Sequence, residues 1–156
     1  KDFVKKILVF LVMVILSIGF IGFSRSYFVL FSKYQSDSFQ YALAKAIPFV
    51  VSQEESYDKI IFSNEESLYQ SYMFFLFYTK YDPSNYQKQG GTRSGGFAET
   101  HSFGKYEFRP IDLSKEKMEK EILYIVNLSE TIGDQQKIQV FDNLNNEEKI
   151  VALTKK

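Results

Sequence analysis

Residues 7–23 form an unbroken apolar run, ILVFLVMVILSIGFIGF, with no charged residue and a single hydroxyl at Ser17. The hydrocarbon core of a membrane needs about 17–25 residues of helix, so this run is just long enough to span it. Apolar residues resume at positions 27–31 after a short polar break, and a tilted helix would extend through them. The sequence therefore predicts a transmembrane helix that is followed by most of the chain.

Basic residues flank the apolar run on both sides, with more before it than after it. Lys1, Lys5 and Lys6 precede the run, whereas Arg25 and Lys33 follow it. Because the cytoplasmic flanks of membrane helices carry an excess of Lys and Arg, this asymmetry favours a cytoplasmic N-terminus. The chain after the helix is then expected on the extracytoplasmic side.

The flank that follows the run is rich in aromatic rings: Tyr27, Phe28, Phe31 and Tyr34. Aromatic side chains are enriched at membrane–water interfaces, so they predict an interfacial segment. We expect residues 1–34 to form the transmembrane helix and its interfacial flank, and residues 35–156 to form an extracytoplasmic domain. The lipid bilayer is accordingly the first expected partner.

Three other interpretations of the apolar run fit the sequence less well. A cleavable signal peptide has an apolar region of about 7–15 residues and a small-residue cleavage site, whereas this run is longer and Phe23, Arg25 and Tyr27 follow it. A buried core helix is disfavoured because the run is apolar on all sides. A pilin-like subunit has a similar layout, but such subunits resemble each other in carrying Glu at mature position 5, where this chain has Lys5.

Composition narrows the function classes. The chain has no cysteine, which excludes a disulfide framework and a thiolate metal site. Its formal net charge is zero, so nothing in the charge supports binding to nucleic acid. The 16 Phe and 11 Tyr, with no Trp, indicate an aromatic core, and Tyr also suits a domain close to headgroups.

Beyond the interfacial flank, apolar residues at helical spacing predict a first helix: Phe39, Leu43, Ile47 and Val50. Pro48 should kink or shorten this helix, because proline removes a hydrogen bond of the helical ladder. Residues 57–63 are β-branched and aromatic and predict a buried strand. Residues 64–79 predict a second helix, with Asn64 as its N-cap and Pro83 beyond its end.

The C-terminal half carries strand signals. These cover residues 105–111, residues 121–128, and a last pair at residues 137–141 and 149–153 that predicts a β-hairpin. The order of signals is typical of an α/β fold. We therefore expect an N-terminal transmembrane helix followed by a small mixed β-sheet domain with two main helices and a C-terminal β-hairpin.

Residues 84–103 contain two Gly pairs and are predicted to form a long irregular loop. Arg93 lies between the Gly pairs, where a guanidinium could reach a phosphate or a sugar carboxylate. His101 is the single histidine of the chain and is expected to be solvated on this loop. Asp82 is better explained as a turn residue. Arg93, His101 and Asp82 are the candidate substrate-binding residues, and none is sufficient for a metal site.

Several segments together resemble the C-terminal end of polytopic glycosyltransferases related to protein O-mannosyltransferases and aminoarabinose transferases. The most specific are residues 75–86, FLFYTKYDPSNY, and residues 103–108, FGKYEF; the strands at 57–63 and 121–128 follow in the same order. In that family the last membrane helix leads into a small extracytoplasmic α/β domain. The resemblance covers nearly the whole chain as an ordered set of features and includes no catalytic signature.

The resemblance implies that a sugar moves from a polyprenyl-phosphate donor to an acceptor at the outer face of the membrane. The family's catalytic acid lies in an early extracytoplasmic loop that has no counterpart in this sequence. We therefore expect a non-catalytic, accessory segment, with no catalytic residue, no metal site and no cofactor of its own. The lipid-linked sugar would be a partner of the parent protein only.

A different class of function also fits the sequence. The chain begins with Lys1 and not with Met, so it is expected to be a piece of a longer protein. If upstream spans exist, the glycosyltransferase interpretation gains weight. If they do not, the chain is a single-span, membrane-anchored binding or interaction module.

Overall fold

A computed structural model describes residues 2–92, 100–116, 119, 121–131 and 135–155. Its first element is helix α1 (Asp2–Arg25), which continues through a π-helical segment (Ser26–Phe31) and a last α-helical turn (Ser32–Tyr34). The most apolar 18-residue window of this helix has a mean hydropathy of 2.8 and is entirely unburied. Within the described residues, this is the one helix that is long and apolar enough to cross a membrane.

A short turn connects the long helix to the domain. Gln40, at the end of this turn, adopts a left-handed backbone conformation with φ of 50°. Its side-chain amide Nε2 donates a hydrogen bond to the carbonyl oxygen of Tyr69 at 2.6 Å. The rings of Phe31 and Phe39 lie 6.1 Å apart between centroids and join the end of the helix to the turn.

Two main helices follow the turn, and a shorter one comes after them. Helix α2 (Tyr41–Ser52) contains Pro48 without ending there, and it buries one apolar face. Helix α3 (Ser71–Thr79) begins after Gln70, which has a φ of 59°, and helix α4 (Pro83–Lys88) begins after Asp82.

The strands of the described residues are β1 (Lys59–Phe62), β2 (His101–Phe103), β3 (Tyr106–Phe108), β4 (Ile122–Asn127), β5 (Gln135–Asp142) and β6 (Glu148–Lys155). They form a six-stranded mixed sheet in the order β2-β3-β1-β4-β6-β5. Strand β1 pairs in parallel with β3 on one side and with β4 on the other. The remaining pairs, β2 with β3, β4 with β6 and β5 with β6, are antiparallel. The chain is therefore mixed α/β with a long apolar N-terminal helix.

The sheet buries apolar side chains on both faces. On one face, helices α2 and α3 cover Ile60, Phe62, Leu123 and Ile125. The other face buries a smaller cluster: Ile61, Ile111, Leu113, Tyr124, Val126, Val151 and Leu153. Burial on both faces explains why β4 reads as a continuous apolar run and not as an alternating one.

Aromatic rings fill the core between α3 and strands β1, β2 and β3. Phe108 is fully buried at the centre of this cluster. Its ring centroid lies 4.9 Å from that of Phe62, 5.3 Å from that of Phe103 and 5.8 Å from that of Phe75. The high Phe and Tyr content is therefore used largely for interior packing, since each ring buries a large apolar area.

The structure corrects the prediction of one helix over residues 64–79. Asn64 is not an N-cap: it is buried, and its backbone N–H donates to the carbonyl oxygen of Arg109 at 3.2 Å, which prolongs the pairing of β1 with β3. A single 3-10 turn (Glu66–Leu68) follows, and the α-helix begins only at Ser71.

The prediction of an irregular loop over residues 84–103 was wrong at both ends. Asp82 accepts a hydrogen bond from the Asn85 backbone N–H at 2.8 Å, and with Pro83 as first helical residue it begins helix α4. At the other end, residues His101–Phe103 form strand β2, and Gly104, with a φ of 58°, turns the chain into β3. Such two-residue hairpin turns require positive φ, which glycine supplies at low cost.

Replacing Phe108 by alanine should lower the free energy of unfolding by about 3–5 kcal/mol, because the change leaves a cavity among packed rings. The measurement is denaturant unfolding of the detergent-solubilised chain, followed by near-ultraviolet circular dichroism. Phe77→Ala is the matched control: Phe77 is exposed, so its loss should cost within about 0.5 kcal/mol. Equal losses in the two variants would contradict this account of the core.

Candidate functional site

The carboxyl ends of the parallel strands β1, β3 and β4 lie at one edge of the sheet. After β1 the chain leads through α3 and α4 toward β3, whereas after β4 it leads to β5 and β6 on the opposite side. The two connections therefore diverge between neighbouring strands. In open α/β sheets this divergence creates a crevice, and ligands bind there preferentially.

Hydrogen bonds to Glu130 link the carboxyl ends of β1 and β4 at this crevice. Ser63, which is fully buried after β1, donates from Oγ to Oε1 of Glu130 at 3.0 Å. The backbone N–H of Asn127 donates to Oε2 of Glu130 at 2.8 Å, as part of a capping box at the end of β4. Both carboxylate oxygens of Glu130 are therefore held by the protein, which indicates that this side chain organises the edge and does not act as a free base.

The segment after β1, which contains Glu65 and Glu66, forms one wall of the crevice. Asn127 Nδ2 donates to the carbonyl oxygen of Glu65 at 2.9 Å, and Ser129 Oγ donates to Oε2 of Glu66 at 2.8 Å. Glu66 has a φ of 49°, a left-handed conformation that non-glycine residues adopt at a cost. The two strand ends are thereby joined by side chains across the divergence.

A cleft of about 500 Å³ opens at this edge. Its lining includes Asn64, Glu65, Glu66, Tyr69, Ile111 and Glu130. A second cleft of about 320 Å³ lies on the other side of Glu66 and reaches Ser129 and Lys149. Glu65 and Glu66 are exposed, so their carboxylates face solvent where a ligand would enter.

Burial raises the pKa of Glu130 above its ordinary 4.5, and the hydrogen bonds from Asn127 and Ser63 oppose that rise. Lys149 lies at the second cleft, where its Nζ is 2.8 Å from Oε1 of Glu147 and 3.5 Å from Oδ2 of Asp37. Its charge is therefore already used in ion pairs with Glu147 and Asp37.

The side chains that line the larger cleft indicate which kind of ligand it can bind. Carboxylate and amide oxygens accept hydrogen bonds from hydroxyl and amino groups, and an aromatic ring beside them offers an apolar face. A phosphate would meet like charges and no basic side chain among the described lining residues, so Coulomb repulsion disfavours it. Within the described part of the chain, no three acidic or histidine side chains converge as metal ligands.

The predicted candidates that the structure describes, Asp82 and His101, do not line the larger cleft. Asp82 serves as the N-cap of α4, in agreement with its interpretation as a turn residue. Arg93 lies outside the described residues. His101 lies in β2 opposite Phe108 and not on a solvated loop. Of the two candidates that the structure describes, Asp82 is exposed at the start of α4 and His101 is buried in β2.

The position of His101 corrects the prediction of an exposed, solvated side chain. It is 3% exposed, and its ring stacks on that of Tyr72 with 3.5 Å between centroids. Its Nδ1 lies 3.0 Å from the hydroxyl of Tyr86. The strand pairing with β3 draws the residue under helix α3, which local sequence could not indicate. His101 thus ties α3 and α4 to the edge strand of the sheet.

Sequence reasoning missed Glu65, Glu66 and Glu130 as a group. By their position after Asn64, Glu65 and Glu66 are predicted to begin a helix, and the sequence pattern gives Glu130 no functional role. A usable signal existed: each segment follows a predicted buried strand, and the carboxyl ends of parallel strands meet at one edge.

No family model, no curated protein and no solved structure matches this chain.

Replacing Glu130 by glutamine should change the pH dependence of stability. Because the pKa is raised on folding, the folded chain binds more protons than the unfolded chain between pH 4.5 and that raised pKa. The stabilising contribution of Glu130 is therefore full below pH 4.5 and is lost as pH rises through the folded pKa. Unfolding free energies of wild type and variant, measured across this window, should show the wild type losing stability relative to Glu130→Gln as pH rises.

Ser63→Ala provides the second arm of this test. It removes the hydroxyl that donates to Glu130 and leaves the carboxyl in place, so the pKa of Glu130 should rise further and the window should widen. A wild type that instead gains stability relative to Glu130→Gln as pH rises would show that hydrogen bonding outweighs burial at this carboxylate.

Asp82→Ala should lower the free energy of unfolding by about 1 kcal/mol, because it removes the side-chain acceptor for the Asn85 N–H. Asp82→Asn is the matched control, since asparagine caps helices about as well as aspartate. Thermal unfolding of the two variants measures the difference. A loss of equal size in both would assign the effect to charge and not to capping.

Proposed function

We propose that this chain is the C-terminal segment of a membrane glycosyltransferase that moves a sugar from a polyprenyl-phosphate donor to an extracytoplasmic acceptor. In this proposal the segment is accessory and does not catalyse. Its α/β domain binds a hydroxyl-rich part of the acceptor at the carboxyl edge of the sheet. The long helix that ends at Tyr34 holds the domain beside the membrane in which the lipid-linked donor resides.

The observation that carries the proposal is the acidic cleft at the divergence of β1 and β4. The exposed carboxylates of Glu65 and Glu66 present acceptors for hydroxyl groups, Glu130 holds the two strand ends together, and Tyr69 contributes a ring. This chemistry suits a sugar or another polyol and disfavours an anionic donor phosphate. In this proposal the donor binds to another part of the parent protein, and the catalytic acid also lies there.

A second candidate function is supported by a different observation. One apolar helix followed by one α/β domain, as found in the described residues, is also the layout of a single-span anchored binding module. Such a module would use the same cleft for a hydroxyl-rich ligand and would have no transferase activity.

The parent polypeptide decides between the two. Antibodies raised against residues 35–156 should isolate it from native membranes, where its intact mass and peptide map are measured. Transfer of labelled sugar from a polyprenyl-phosphate donor is then assayed on the same preparation. The glycosyltransferase proposal expects a protein with further spans and measurable transfer. A protein with a single span and no transfer would overturn it in favour of the anchored module.

In the active parent, replacing both Glu65 and Glu66 by glutamine should raise the acceptor KM by about tenfold or more, because charge-assisted hydrogen bonds are worth about 1.5–3 kcal/mol. The donor KM should stay unchanged. Glu121→Gln, the same change on an exposed residue before the start of β4, is the matched control. An unchanged acceptor KM in the double variant would remove the cleft from acceptor binding.

A further inference from the structure

Helix α3 buries only one of its sides. Ser71, Tyr72 and Phe75 are buried against the sheet. On the other side Met73 is 49% exposed, Phe77 is 76% exposed and Tyr78 is 47% exposed. We call these three residues, with the partly buried Phe74, the outer face of α3. Exposed apolar clusters of this kind mark surfaces that contact a partner or a membrane.

The outer face of α3 forms a shallow groove of about 290 Å³ that ends at Gln70. Residues 67–81, SLYQSYMFFLFYTKY, contain no Asp or Glu and a single basic residue, Lys80. The surface is therefore apolar and aromatic with one positive charge at its end. Helices that lie in a membrane interface combine such an apolar side with Tyr or Phe rings and basic residues, because headgroups are often anionic.

The fold places this face next to the point where the chain leaves the long helix. That helix ends at Tyr34, and Gln40 Nε2 donates a hydrogen bond to the carbonyl oxygen of Tyr69, two residues before α3 begins. The exposed rings of Phe31, Tyr34 and Phe39 occupy the connection, so aromatic surface lies along the chain from the helix to the domain.

The length of the helix permits the domain to reach the lipid surface. The apolar part of the helix, residues 7–31, extends for about 38 Å at 1.5 Å per residue, whereas the hydrocarbon core is about 30 Å thick. Tilting accommodates such an excess and brings the end of the helix down toward the headgroups. Because the domain is tethered, its local concentration at the bilayer is high, and even a weak contact is then populated.

We infer that the outer face of α3 lies in the headgroup layer of the same membrane that α1 crosses, as a second lipid contact of this chain. The inference rests on the membrane anchoring in the proposed function, but it does not depend on the glycosyltransferase activity. It fixes how the domain is oriented: α3 is against the lipid, and the helix–sheet core stands above it.

The chain has no tryptophan, so a single introduced indole reports on one position. The full chain is reconstituted into phosphatidylcholine–phosphatidylglycerol vesicles in which the lipids carry bromine on the upper acyl chain. Phe77→Trp should lose about half or more of its emission, since an interfacial helix buries its apolar side about 5–10 Å into the headgroup–acyl boundary. Phe77 is exposed, so the substitution does not disturb the core.

Two further variants serve as controls. Phe10→Trp lies within the apolar span and should be quenched strongly. Val51→Trp is the matched negative control, because Val51 is also an exposed apolar residue on a helix but precedes Glu54 and Glu55 at the far end of α2. Its emission should be the same in brominated and unbrominated vesicles.

The outcomes are distinguishable. Quenching of Phe10→Trp and Phe77→Trp, but not of Val51→Trp, supports the second lipid contact. Quenching of Phe10→Trp alone overturns it and leaves the anchor intact. A Phe77→Trp emission that is blue-shifted, unquenched and dependent on the protein-to-lipid ratio assigns the face to a second copy and also overturns it. Absence of quenching at Phe10→Trp would remove the anchor itself, and with it both the inference and the membrane part of the proposed function.

Discussion

The domain depends on the pairing of β1 with a parallel strand on each side. Only four residues form this strand, yet Ile60, Ile61 and Phe62 are buried, and their backbone groups bond to both β3 and β4. The consequence is a mixed sheet in which the chain must leave β1 and β4 in opposite directions. That divergence both opens the cleft and places the acidic segments beside it, so the candidate site is a product of strand order.

The same strand pairing organises the aromatic core. Phe62 and Phe108 occupy the same register in β1 and β3, which brings their rings into stacking distance. Helix α3 then packs Tyr72 and Phe75 onto these rings, so one side of this helix is buried in the core. The sequence of α3 is apolar on nearly all sides, and no further element of the described residues covers its second side. The outer face of α3 therefore remains exposed.

Much of the architecture could be predicted from local sequence. The apolar helix, the helix around Leu43 and Ile47 and the buried strands at Ile60 and Leu123 each carry a periodic or continuous apolar signal that the structure bears out. Errors occurred where a local signal has two meanings. Asp82 before Pro83 stops one helix and caps the next, and Gly104 marks a hairpin turn within a glycine-rich stretch. Residues such as Asn64 were misassigned because sheet pairing, not capping, satisfies their backbone groups.

The sequence by itself determined that one segment is too apolar on all sides for a small core, and that the rest alternates between helix and strand. These properties are local, because hydrophobic periodicity acts over a few residues. Only the tertiary structure decided which strand ends meet, that His101 lies beneath α3 and that Glu65, Glu66 and Glu130 share one edge. Those placements depend on the order of strands in the sheet, which contacts between residues distant in sequence establish and no local pattern encodes.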